Sequence, residues 1–251
     1  MVSNQVKAAY KALEDAPIDK LCIVEGQWSN GTQGENKPQT KALLRHLMRR
    51  RIKFAIIGFD AQGPDNTNKI AMELATEVNP PYKYGVDWVN WGYRNENAVE
   101  AFLKSMVRDI PGAVKIDYNN TPITDFKKLP IMKNIHDMKD VGLFIDITPS
   151  STLEKWIAFV QGVNNTPTVY SCTAVMAPEG YQFLDSGQVI GMLTGIKGAI
   201  EYESLIGKRD SASRQALALS ITHVMIIVLI VLGNIGYISE KRRRTDRGGY
   251  R

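Results

Sequence analysis

Four carboxylates stand where an α/β protein could use them. Glu25, Asp60, Asp87 and Asp146 each fall in, or just after, a short apolar run that reads as a strand. Ligands of open α/β sheets sit beyond the carboxyl ends of the strands. Acids converging there can bind a divalent cation or serve as acid and base. The same placement also suits carboxylates that cap neighbouring helices or face water. Convergence of the four side chains separates the two readings.

Other chemistry is thinly represented. The segment from Glu25 to Gly34 is a glycine-bearing loop ahead of a helix, which can cradle an anion, but it matches neither GxGxxG nor GxxxxGK[ST]. Gly58 to Gly63 has Walker-like glycine spacing, then continues with Pro64 and lacks the lysine. No nucleotide cofactor is expected. No serine sits in a GxSxG elbow, and His46, His136 and His223 are dispersed. Cys22 and Cys172 lie in apolar runs without a CxxC, so no metal site is expected. Trp28, Trp88, Trp91 and Tyr93 read as core or as an aromatic edge.

Two helical patterns suggest contacts rather than catalysis. Gly187, Gly191, Gly195 and Ala199 recur every fourth residue, which on a helix makes one smooth face. Glycine costs a helix about 1 kcal/mol relative to alanine, so such a face asks for a close neighbour: the sheet, another helix or a second subunit. Lys41, Arg45 and Arg49 form a basic stripe that suits anionic headgroups or water.

The elements that must position these residues alternate regularly. Apolar runs at 21–24, 54–59, 86–89, 114–116, 141–147 and 168–173 resemble buried parallel strands. Helical stretches lie between them. One opens at Pro38 as a first-turn proline, one covers 68–78, and one carries Val99, Phe102, Leu103, Met106, Val107 and Ile110 on a single face. A further helix begins at a capping box from Ser151 to Glu154. Residues 119–139, with Pro122 and Pro130, read as an irregular connection. The fold class is therefore α/β: a doubly wound, mostly parallel, Rossmann-like sheet of five to six strands.

From Ala216 to Ile238 the chain runs 23 residues without a charge. As a helix this is roughly 34 Å, against a hydrocarbon core of about 30 Å. Arg214 precedes it, Tyr237 lies at its far end, and Lys241, Arg242, Arg243 and Arg244 follow, as membrane-surface residues do. The expected organisation is a helical segment over 1–19, a soluble α/β domain over 20–207, a linker over 208–215, a single transmembrane helix over 216–238 and a basic tail over 239–251. The formal charge of +5 belongs mostly to that tail, so nucleic acid is not an expected partner. The expected partners are the lipid bilayer and a protein or a second copy of the chain. With free cysteines and no export signal in view, the domain is expected on the cytoplasmic side. Function reads as a membrane-anchored, non-catalytic interaction or scaffold domain within a larger assembly. The alternative is a membrane-bound, metal-assisted enzyme using the strand-end carboxylates.

Overall fold

A computed structural model describes residues 1–208 and 210–248; the side chains at 211, 215, 216, 219 and 239–248 lie outside the described set. The chain divides into two compact units, Met1–Ala212 and Ser213–Arg251.

Six strands form the first unit: β1 (Leu21–Gly26), β2 (Phe54–Gly58), β3 (Trp88–Tyr93), β4 (Val141–Thr148), β5 (Thr168–Cys172) and β6 (Gly191–Thr194). All pair in parallel, in the order β3-β2-β1-β4-β5-β6. Val, Ile, Leu and Phe fill both faces of β1, β2 and β4, as strands covered on both sides require. One face is packed by α1 (Asn4–Asp15), α2 (Gln33–Arg49), α3 (Gly63–Ala75) and α9 (Gly195–Leu205). The other carries α4 (Val99–Met106), α5 (Ile110–Val114) and α6 (Thr152–Trp156), the last continuing into a π-helical turn at Ile157–Gln161 and then α7 (Gly162–Asn164). Under the β5–β6 edge, α8 (Ala177–Asp185) adds a smaller cluster with Tyr170, Cys172 and Met192. This is the doubly wound α/β architecture. The chain winds outward from β1 to β3, returns to the centre with β4, and winds outward again, so β1 and β4 flank the reversal point.

Several local expectations change. Residues 114–116 do not make a strand: Val114 ends α5, and Ile116 makes only an isolated bridge to Pro122. The third strand begins at Trp88, so Asp87 precedes it. Pro38 lies inside α2, because the helix starts upstream at Gln33 behind a short 3-10 turn. Ser151 makes no side-chain cap to α6. The segment 119–139 is irregular as expected, with 3-10 turns at Pro130–Met132 and Met138–Asp140.

The glycine face is not a helix face. Gly187 sits in the turn after α8 at φ +76, Gly191 opens β6, Gly195 starts α9 at φ +58, and Ala199 lies within α9. Four-residue spacing here spans three kinds of backbone. Gly191 is still tightly covered: a Cβ there would fall 2.2 Å from the Ala9 backbone nitrogen of α1. The face of α1 carrying Val6, Ala9 and Leu13 closes over that strand. A Cβ at Gly187 would meet nothing within 4 Å.

The basic stripe of α2 is paired within the domain rather than free for lipid. Lys41 bonds Glu73, Arg45 bonds Glu77 and Asp210, and Arg49 bonds Glu14. Between them His46 is fully buried, its Nδ1 2.6 Å from the Tyr202 hydroxyl and its Nε2 2.9 Å from Glu14 Oε1. This links α1, α2 and α9. Burial, opposed by the Glu14 hydrogen bond, pushes the His46 pKa down to about 4, so the ring is neutral at pH 7.

In the second unit, α10 (Ser211–Gly248) is a continuous helix and Ser220–Ile238 is long and apolar enough to cross a membrane. Among the described residues it is the one helix with that property. Its apolar side chains are exposed, Val224, Ile226 and Leu232 among them. Arg214 and Tyr237 flank the span and are exposed. The side chains of Lys241, Arg242, Arg243 and Arg244 lie outside the described residues.

Candidate functional site

The reversal between β1 and β4 opens a cleft at the carboxyl ends of the strands, and short local contacts hold it in shape. Gly26 ends β1 where α3 starts: a Cβ on Gly63 would fall 1.8 Å from the Gly26 carbonyl oxygen, so only glycine permits that approach. Gln27 joins three strand ends. Its backbone N–H donates to Ile147 O at 2.9 Å, and its Oε1 accepts from Phe59 N at 2.6 Å. After β4, the Thr148 hydroxyl accepts from Ser150 N at 3.0 Å and lies 2.9 Å from Ser150 Oγ. These bonds fold the Pro149–Ser151 loop back over the strand end.

The resulting hollow measures about 520 Å³. Ser29, Ser150, Ser151 and Thr152 put hydroxyls on its wall, and Phe59 and Val99 supply apolar surface. Asp60, Glu96 and Glu154 outnumber the single base, Lys155. The wall therefore suits a neutral or cationic polar molecule better than a phosphate.

Two of the four sequence-selected acids meet beside this cleft. Glu25 of β1 and Asp146 of β4 are register partners on adjacent strands, where neighbouring backbones run about 5 Å apart. Both are 0% exposed, and beyond each other and the Trp156 indole their carboxyls meet no hydrogen-bond partner. They project into the face packed by Ile23, Ile57, Phe144 and Trp156. Burial, reinforced by the Asp146 charge, holds Glu25 well above the usual carboxylate range. Burial pushes Asp146 up to about 8. Two carboxyls this close resist joint ionisation and titrate as a unit, so the pair keeps at least one proton at pH 7.

The other two acids do not join them. Asp60 lines the cleft, but its Oδ1 accepts from Gln62 N at 2.8 Å and Gly63 N at 3.2 Å, which caps α3. Asp87 accepts from Lys83 N at 2.8 Å ahead of β3, at the opposite end of the sheet. No group of three metal-ligating side chains occurs among the described residues. The four carboxylates proposed for a metal-assisted site do not converge: Asp60 and Asp87 lie away from the Glu25–Asp146 pair.

A second hollow of about 340 Å³ lies near the start of α9, between Ser3 and Gly195. Its carboxylates are already engaged: Glu35 accepts from Ala174 N and Glu201 from Ser3 N and Oγ. Trp28, Trp88 and Trp91 are core residues, and Tyr93 is exposed.

Gln27, Thr148, Lys155 and Trp156 were not selected from the sequence as site residues. Their one visible signal was the run of hydroxyl residues, Thr148 to Thr152, directly after an apolar strand. No family model, curated protein or solved structure matches the chain.

Proposed function

We propose that this chain is a membrane-anchored α/β domain that binds a small polar molecule, neutral or cationic, in the cleft between the ends of β1 and β4. One observation carries the reading: two buried carboxyls, Glu25 and Asp146, meet at the strand reversal beside a hollow walled with hydroxyls and acids. A buried polar group without a partner costs about 1–3 kcal/mol, more when it carries charge, and such a cost is characteristic of sites kept for function. The scaffold reading drew on the anchor, on the lack of a complete catalytic motif and on a glycine face, and that face is divided among a turn, a strand and a helix start. The cleft is the stronger feature. α10 ties the domain to the bilayer, and two free, buried cysteines accord with a cytoplasmic position.

The test is to extract the full chain in mild detergent and measure by mass spectrometry what small molecule accompanies it. A near-stoichiometric polar compound is expected, lost from a Ser151→Trp variant that fills the cleft. Polyols and primary amines added to the purified chain should raise its melting temperature; at one hundred times the Kd, binding contributes about 2.7 kcal/mol. No accompanying compound, together with no stabilisation by either class, overturns the reading.

A further inference from the structure

We propose that Glu25 and Asp146 form one proton-holding pair that acts as the general-acid site for the molecule in the cleft, reached through the layer made by Phe59 and Trp156. The inference rests on the cleft reading and assigns it a chemistry.

The geometry supports this from three directions. First, the pair is placed by register: adjacent parallel strands bring Glu25 and Asp146 to the same level and the same face. Second, a further polar group points at the same spot. Trp156 is 1% exposed, and its indole lies against the Glu25 carboxyl, whose pKa it draws down. The two carboxyls and the indole thus meet at one buried point, with no other hydrogen-bond partner around them. Third, the cover borders the cleft and is locally irregular. Phe59, whose ring centroid is 6.2 Å from that of Trp156, itself lines the cleft. Trp156 is the last residue of α6 before the π-helical turn Ile157–Gln161, and π-turns occur frequently at functional sites.

The charged and titratable groups facing the pair are few. Lys155 of α6 acts on Glu25, and Tyr170 and Cys172 of β5 feel the charge of Asp146. The packed residues of β2 and α4 are apolar, Ile57 and Leu103 among them. One acid step moves a proton from a carboxyl O–H to the bound molecule, and the O–H electron pair stays on the oxygen. The pair goes from neutral to a single negative charge, which the second carboxyl stabilises through its remaining O–H. Loss of the second proton would leave two buried negative charges side by side and is disfavoured. Solvent returns the proton when the cleft empties.

Dicyclohexylcarbodiimide tests this on the full chain in detergent, because it reacts with protonated carboxyls in apolar surroundings. The acid proton moves to a carbodiimide nitrogen and a carboxyl oxygen bonds the central carbon; acyl migration to nitrogen then leaves a stable N-acylurea. Peptide mapping should find the adduct on Glu25 or Asp146 at neutral pH. Labelling at Asp146 should fall about ten-fold per pH unit above about 8, while Glu25, held well above the usual carboxylate range, stays reactive. Ser151→Trp and, from the opposite wall, Ser29→Trp should each reduce it about ten-fold; either variant serves if the other fails to fold. Infrared titration should show a carboxylic-acid C=O band that Glu25→Gln and Asp146→Asn each alter. No adduct on either residue, or an adduct unaffected by a folded cleft-filling variant, overturns the proposal. Co-purification of a small molecule scores the cleft separately, so failure of one reading is distinguishable from failure of the other.

Discussion

Asp146→Asn should stabilise the folded domain at mildly alkaline pH. In the native fold the Asp146 carboxyl is raised from 3.8 to about 8 by burial, while in the unfolded chain it ionises near its ordinary value. Between those values the folded state holds the proton and the unfolded state does not, so stability falls as pH rises through that window. Each unit of difference corresponds to about 1.4 kcal/mol, so the full span reaches about 6 kcal/mol as an upper bound. Relaxation and water entry reduce that; one third of it, about 2 kcal/mol, still moves Tm by about 4–8 °C for a domain of this size. Asparagine keeps the shape and removes the titration. Melting of the full chain in detergent should be compared from about pH 6 to about pH 8.5, a range set by the neighbouring titrations. Below it act the carboxylates held down by their partners, such as Glu77 beside Arg45 and Lys208. Above it act the buried thiols, with Cys172 pushed up to about 12. The native chain should lose Tm across this range and the variant should lose less. A native Tm that is flat or rising, with no gain in the variant, would refute the reasoning about the pair.

Three further outcomes are expected. His46, at about 4 in the fold against 6.5 ordinarily, binds fewer protons folded than unfolded between those values, so its contribution is lost as pH falls through them, at up to about 3 kcal/mol; His46→Gln should flatten the acid side of a Tm–pH curve, and an unchanged curve would count against it. Gly191→Leu places side-chain atoms in the backbone of Ala9 and should cost about 1–3 kcal/mol or more with no change in oligomer mass, whereas Gly187→Ala meets no neighbour and should cost only the strain of its positive φ, about 1 kcal/mol; equal losses at the two sites would show that α1 does not cover β6. A chain ending at Ala212 should leave the membrane pellet on a carbonate wash, since Ser220–Ile238 is the helix fit to span; retention in the pellet would refute a single anchor.

Much of the sheet was legible because its strands are buried on both faces. Runs such as Leu21–Val24 and Leu143–Ile145 are apolar at consecutive positions and rich in Val, Ile and Phe, as strands covered on both sides are. β6 escaped because it has only four residues, Gly191–Thr194, and lies between glycines whose spacing imitates a helix turn. Asn119–Lys139 read correctly as irregular because its prolines exclude regular pairing. The site was half legible. Glu25 and Asp146 were each noticed as acids at strand ends, but their meeting depends on β4 inserting beside β1, and strand order is a property of the whole fold. Asp87 was misplaced by a two-residue error in where β3 begins, which is enough to move a side chain to the other end of a sheet. The capping expected of Ser151 failed because Thr148 and Ser150 organise that loop instead.

The strand order also ties the fold to the protons of the solution. Glu25 and Asp146 are far apart in the chain and become neighbours only because β4 pairs with β1. In the unfolded chain both carboxyls are wet and ionised at neutral pH; in the fold both are buried side by side, with their pKa values raised. Folding therefore takes up protons from water, and alkaline solution works against this one strand pairing at the centre of the sheet.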